Sequence, residues 1–389
     1  MEAKKIKEGI YWVGVIDWNL RSFHGYSTDS GTTYNAYLII DEKITLIDNV
    51  KEEFTDEMLK KISSIVDVSK IDIIISNHSE ADHSGSLKQV MEIAKNATVY
   101  ATGAGVKILQ AMYGINDIIP VKTNDVISIG KRTLKFYQAP MVHWPDNMVV
   151  YSEKDKLLFS NDIFGQHYAT SKILDVENDL SVLLYEAKKY YANIVLPYTF
   201  QASKIAEVIL SMDFDMVATS HGVIWTKHIK DIVALYKKII ANEKKNKAII
   251  VYDTMWESTF KIAKAICKGF MANDVEVRLY NVNETEASDI ITEIIDAKYL
   301  AVGSPTQNNQ MLPTIAGFLC YLESMHPKDL TCIAFGSYGW GGQSIGYIAE
   351  KLNKLGYQDL LPQIKINYVP TETILENITN QVIDKTNKD

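Results

Sequence analysis

A chain of 389 residues with 47% hydrophobic and 23% charged side chains has an ordinary globular mixture, and at about 150 residues per domain it has room for two to three domains. Forty basic against 48 acidic residues leave a net charge of −8, which argues against a nucleic-acid surface, because non-specific binding to phosphates needs clustered cations. No apolar stretch approaches the ~18 residues of a membrane-spanning helix, and residues 1–8 hold no apolar signal core. Three cysteines (Cys267, Cys320, Cys332) without a C-x-x-C pair offer neither a disulfide framework nor a thiolate cluster. The expected compartment is the reducing cytoplasm, with neither membrane nor nucleic acid as partner.

In chain order, hairpin-like alternation comes first, at 11–15, 34–40 and 44–47. A helix follows over 54–66, then an apolar strand over 71–76, and a second helix from about 85 to 95. Strand-like runs recur at 98–100, 126–129, 134–138, 148–151 and 157–159, which suggests packed sheets flanked by helices. An amphipathic helix over 229–240 leads into the polar run 241–247, read here as the domain boundary, with domains over 1–246 and 247–389. Beyond it the grammar changes. Runs at 248–252, 275–282, 299–303, 331–335 and 364–369 alternate with helical periods such as Ile262, Ala263, Ile266, Cys267 and Phe270, and five strands alternating with helices imply a parallel sheet covered on both faces.

The sharpest local feature is His78-Ser79-Glu80-Ala81-Asp82-His83, directly after the strand at 71–76 and before the expected helix. Strand ends are where α/β proteins build sites. The spacing 78, 80, 82 and 83 cannot form one helical face, but a tight loop can converge these side chains on one point or two adjacent ones. Carboxylates packed this closely repel unless protons or cations compensate. His143, Asp162 and His221 each follow a strand-like run as well. Any one of these three alone is an ordinary turn, core or cap residue; the joint pattern carries the meaning. Four imidazoles and three carboxylates are too many for one four-coordinate zinc and suit two metals sharing a bridge. A set without thiolate favours iron or manganese, with zinc still compatible on donor type alone.

The order of these residues resembles the metallo-β-lactamase fold, whose hydrolases usually read H-x-H-x-D-H. Here the second position is glutamate, His78-x-Glu80-x-Asp82-His83. That variant, with gaps of 59, 18 and 58 residues to His143, Asp162 and His221, is similar to the flavodiiron proteins (A-type flavoproteins). The resemblance spans essentially the whole chain. It implies an N-terminal metallo-β-lactamase-like αββα sandwich followed by a flavodoxin-like, doubly wound, five-stranded parallel sheet. It further implies that His78, Glu80 and His143 bind one iron, that Asp82, His83 and His221 bind the other, and that Asp162 bridges them. The carboxylate at 80 adds negative charge that should help hold the ferric state. His24 and Tyr26 are candidate pocket residues by the same resemblance.

A flavin would need loops in the second half. Thr254-Met255-Trp256-Glu257-Ser258-Thr259 follows the first strand and enters a helix, a natural phosphate cradle. It lacks the glycine patterns of triphosphate and dinucleotide loops, so a mononucleotide is expected. Ser304-Pro305-Thr306-Gln307-Asn308-Asn309 and Ser337-Tyr338-Gly339-Trp340-Gly341-Gly342 follow the third and fourth strands; together the three loops resemble flavodoxin, with FMN phosphate at 254–259 and the ring between the other two, Trp340 stacking.

The expected activity is reduction of dioxygen to water, of nitric oxide to nitrous oxide, or both, using FMN and two irons per subunit. The family's arrangement is a head-to-tail homodimer, with a dimer of dimers as the larger alternative. Electrons are expected from a separate rubredoxin or from a reduced deazaflavin or nicotinamide, since no cysteine pairs exist for a fused rubredoxin. Two other readings compete: a zinc-dependent hydrolase of the lactamase fold with an accessory flavodoxin module, and a non-enzymatic electron carrier.

Overall fold

The computed structural model describes residues 2–387 and divides into two compact units, 1–240 and 241–389. Among the described residues no helix is long and apolar enough to cross a membrane.

The first unit is built on two sheets. One has seven strands in the order 4–7, 10–12, 37–39, 45–47, 73–75, 98–102, 118–121, and the other five in the order 126–128, 133–138, 148–152, 157–161, 216–219. Period-two alternation decides which side each residue buries. Ile73 and Ile75 meet Phe136, Val150, Leu157 and Phe159 of the other sheet, whereas Ile74 turns to the helices with Met58, Ile62, Leu87 and Leu109. Strand Ile73–Ile75 is therefore buried on both faces, which is why it reads as an unbroken isoleucine run. Helix Ile229–Ile240 packs against both Leu180–Tyr190 and Thr199–Leu210, and its Tyr236 hydroxyl accepts the backbone N–H of Phe164, just beyond the strand 157–161 of the second sheet. The result is the expected αββα sandwich.

Two local expectations are corrected. The run 34–40 is not one strand: Thr32–Tyr34 pairs with Val15–Asp17, while Tyr37–Ile39 joins the seven-stranded sheet. Asn35 causes the break, donating from Nδ2 to the carbonyls of Thr219 and Gly222 and accepting from Trp12 Nε1. The acid–histidine segment is also not wholly loop, because Ala81–Ser84 forms a helical turn ahead of helix Leu87–Ile93.

The second unit has strands in the order 276–281, 245–252, 297–303, 331–338, all parallel, and a last position shared by Gln358–Asp359 and Ile364–Asn367. That 2-1-3-4-5 order is the flavodoxin-like one. Helices Ser258–Met271 and Glu372–Thr386 cover one face through Ile262, Ile266, Phe270, Ile378 and Val382. Helix Ala287–Ile294 packs on strand Ala297–Gly303 and on helix Pro313–Met325. The first strand opens at Lys245, within the polar run, and the buried Lys247 ammonium pairs with Glu293 (3.0 Å) and Asp296 (2.5 Å), so a residue that reads as linker sits inside the fold.

Candidate metal centre and flavin site

All seven acid and histidine side chains converge, each delivered by the carboxyl end of a strand or the turn after it. They form two groups, His78–Glu80–His143 and Asp82–His83–His221, with the ligand atoms of each group within 4.8 Å of one another. In the first, Glu80 Oε2 lies 3.2 Å from His78 Nε2 and 3.1 Å from His143 Nε2. In the second, Asp82 Oδ2 lies 3.2 Å from His221 Nε2 and 3.5 Å from His83 Nε2. Asp162 stands between them. Its Oδ2 faces His143 (3.5 Å) and His78 (3.8 Å), and its Oδ1 faces His83 (3.2 Å) and His221 (3.7 Å). Each carboxylate oxygen thus addresses a different group.

The surroundings fix these side chains. Asp146 takes the Nδ1–H of His78 at 3.1 Å and the backbone N–H of Ser79 at 2.7 Å, which turns His78 Nε2 toward the cluster. His221 donates from Nδ1 to the Thr33 carbonyl at 2.7 Å, with the same effect. Asn161 holds left-handed backbone (φ 52°), a conformation asparagine tolerates better than most residues. Its side chain donates to Ser220 Oγ and accepts from Asn147 Nδ2, so one amide ties together the loops carrying His143, Asp162 and His221. Asp48 does the same for the first loop by accepting from both the backbone and side-chain nitrogens of Asn77. Gly222 follows His221 at φ +76°, where a Cβ would stand 2.3 Å from Gln166 Oε1.

Charge explains what such a cluster requires. Burial alone would push the Asp162 carboxyl up, but His83 and His78 overcome it and hold the group well below the usual carboxylate range. Glu80 behaves alike, with burial opposed by His143, His24 and His78. Burial also works against charging His83, yet Asp82 and Asp162 raise it to about 9. Buried anions are thus kept ionised by whatever positive charge the imidazole nitrogens can bring, and metal cations at those nitrogens meet the same demand. Both oxygens of Asp82 and of Asp162 and both ring nitrogens of His83 are buried without a hydrogen-bond partner. An oxygen- and nitrogen-only donor set with such orphaned atoms fits two divalent or trivalent cations.

His24, at the tip of a short hairpin, places Nε2 2.7 Å from Glu80 Oε1. Tyr26 lies one residue back on the other strand, buried, its ring 5.3 Å from that of His167. Sequence reasoning missed Asp146, Asn161, Thr33 and His167. Asp146 had a local signal, a carboxylate three residues after His143; the others carry none, because their partners are remote in sequence.

In the second unit, a cavity of ≈ 490 Å³ is lined by Met255, Trp256, Ser258, Pro305, Thr306, Asn308, Asn309, Ser337–Gly341, Tyr368 and Val369. Trp256 and Trp340 are 87% and 93% exposed, flat aromatic faces standing at its rim. The loops at 304 and 337 meet because residue 336 lacks a side chain; a Cβ there would lie 2.0 Å from the Ser304 carbonyl. Thr254 Oγ1 is buried and unpartnered beside the N-terminus of helix Ser258–Met271, where an anionic group would be held. An apolar slot with aromatic walls and a phosphate cradle at one end fits a flavin mononucleotide.

Six residues expected at the flavin do not line the cavity, Thr254 among them. Ser304 and Thr259 are buried, Ser304 holding the backbone N–H of Leu312 and Thr259 pairing with Ser337 Oγ. Gln307 is bridged to Gln310, and Glu257 and Gly342 cap helices. Conversely, Tyr368 and Val369 do line it, although they read as the end of a strand; that strand stops at Asn367.

Two family models match the chain, an ODP family beta lactamase over residues 32–222 and a flavodoxin over residues 250–380. The chain is 43% identical over 353 residues to a nitric oxide reductase of Moorella thermoacetica, covering 89% of this chain and 88% of that one. Its structure matches that of rubredoxin oxygen:oxidoreductase from Desulfovibrio gigas with a TM-score of 0.97 and 37% identity, over 99% of this chain and 98% of the other. It matches the flavodiiron protein of Giardia intestinalis with a TM-score of 0.96 and 34% identity, over 100% and 96%. With both units, their order and full-length relatives in agreement, this chain belongs to the flavodiiron protein family.

Proposed function

We propose that this chain is an FMN-dependent di-iron oxidoreductase that reduces dioxygen to water, nitric oxide to nitrous oxide, or both. The observation that carries the reading is the division of the two Asp162 oxygens between two separate buried groups. His78, Glu80 and His143 would hold one iron, Asp82, His83 and His221 the other, with Asp162 shared. When bound, the two ferrous ions would together supply two electrons and reduced FMN two more, the four that dioxygen needs to become two waters.

The chain's own residues prepare the site. Asp146 and the Thr33 carbonyl each hold the outer nitrogen of an imidazole, so the inner nitrogens face the cluster before any metal arrives. Burial keeps bulk water from the carboxylates. His24 reaches the cluster from the hairpin side by donating to Glu80 Oε1, and Tyr26 beside it would be a pocket residue. In the second unit, Thr254 and Ser258 would take the FMN phosphate, and Trp340, Tyr338 and Tyr368 would flank the ring.

Electrons would come from an external donor, a rubredoxin or a reduced deazaflavin or nicotinamide; the Desulfovibrio gigas relative is named for rubredoxin. A head-to-tail homodimer in the cytoplasm completes the reading. The zinc-hydrolase alternative is not favoured, since the relatives matched over nearly their whole length are named a nitric oxide reductase and an oxygen oxidoreductase. The test is consumption of both gases, side by side, by holoenzyme with a competent donor. Turnover of either, lost in Asp162→Ala with FMN retained, supports the reading; zinc in place of iron together with thiolesterase turnover overturns it.

A further inference from the structure

The hairpin that brings His24 and Tyr26 to the metal pocket is too short to hold itself. Its strands, Ser22–Phe23 and Tyr26–Ser27, have two residues each, and an isolated two-stranded hairpin is marginal in water even when longer. The turn suits it, because His24 (φ 53°) and Gly25 (φ 82°) both hold the left-handed backbone that a tight hairpin turn of this kind asks for. A turn sets local shape, however, and not where the hairpin sits over the pocket.

Helix Leu180–Tyr190 fixes that position from behind. Lys189 near its end is buried, yet its Nζ donates to Ser27 Oγ at 3.1 Å, stands 3.6 Å from Asp29 Oδ2 and lies 5.5 Å from the centre of the Tyr26 ring. A second contact runs from Ser30 Oγ, which donates to Glu186 Oε1 at 2.9 Å, one helical turn earlier on the same face. A buried ammonium is tolerated only where such partners offset its lost hydration. The helix changes register at this point: residues Tyr191–Val195 form a π-helical turn, and the Lys189 carbonyl accepts the side-chain amide of Asn193. π-turns of this kind recur at functional sites. From here the neighbouring Tyr190 reaches the pocket side, its ring 5.1 Å from His167, whose ring is in turn 4.7 Å from that of His221.

We propose that Lys189 is a positioning residue for the reaction. Its buried ammonium clamps the 22–30 hairpin so that His24 reaches Glu80 and Tyr26 closes the pocket wall. This inference rests on the reading of that pocket as the reaction site. Lys189 is not among the candidate metal ligands; it acts through the hairpin, and so it governs how substrate is received more than how electrons are delivered.

The experiment compares full-length wild-type holoenzyme, Lys189→Met and Lys189→Arg by amide hydrogen exchange, iron and FMN content, and steady-state consumption of dioxygen and nitric oxide. Lys189→Met is expected to exchange at least tenfold faster across residues 21–30, to keep its iron and FMN, and to show a KM at least fivefold higher with kcat within twofold. Lys189→Arg restores both readouts. A merely structural lesion would lower the active fraction, and with it kcat, leaving KM unmoved. Ser27→Ala/Asp29→Asn weakens the polar contacts to Lys189 from the hairpin side without changing a helix residue, and is expected to shift both readouts in the direction of Lys189→Met. Unchanged exchange in both variants, or an unmoved KM, overturns the proposal. A wild-type enzyme that consumes neither gas would instead overturn the reading of the pocket, and the exchange measurement would still decide whether the clamp exists.

Discussion

The two cofactor sites sit at equivalent places, the carboxyl ends of strands, but are made in opposite ways. The acid–histidine centre is closed: Asp82, His83, Asp162 and His221 are all buried, and further residues hold the cluster in place. The flavin slot is open, walled by aromatic side chains standing in solvent and by backbone drawn close through small residues. The difference follows from what each must bind. Metal ions are held by charge, and charge is effective only where water is excluded and each ligand is fixed in advance. A flavin is held by area and a few phosphate contacts, which an open slot with a rigid frame supplies.

If that contrast is right, damage to the two sites should separate cleanly. The largest effect is expected from Asp162→Ala, which removes the shared carboxylate: gas consumption should fall by about 1,000-fold or more (~4 kcal/mol), iron should be lost, and the yellow FMN spectrum should stay. Stripping the metals with a chelator should come next. It leaves the buried carboxylates without cations, and by mass action the first unit should lose about 3 kcal/mol of stability while the second unit melts as before, as calorimetry would show. Coincident shifts in both units would blur the contrast. Asp146→Asn keeps the shape but withdraws the charge that orients His78, and should cost about 10- to 100-fold in iron affinity by competition titration. Trp340→Ala should give the smallest effect, weakening FMN binding by about tenfold (~1.4 kcal/mol) with iron content unchanged. Iron loss in that variant would show the two sites to be coupled.

The seven acid and histidine residues were legible because each follows an apolar run and four of them fall within six positions. Their grouping into two sets around Asp162 was readable only through the family resemblance. The helix over 229–240 and the run at 71–76 read directly from periodicity, since a helix with one apolar stripe and a strand buried on both faces leave plain patterns. The break inside 34–40 did not, because Asn35 is set by carbonyls more than 180 residues away. Tyr368 and Val369 read as strand for a similar reason: β-branched and aromatic residues favour strands, and nothing local announces that pairing stops at Asn367.

By itself the sequence determined the two kinds of chemistry, the order of the two units and the strands that deliver each ligand, because hydrophobic period and donor type are properties of neighbouring residues. Only the tertiary structure decided which oxygen of Asp162 faces which group, which carbonyl or carboxylate steadies each imidazole, and that Lys189 anchors the hairpin of His24. Those are relations between segments about 20 to 190 residues apart, fixed by how two twisted sheets and their helices pack, and no local pattern encodes them.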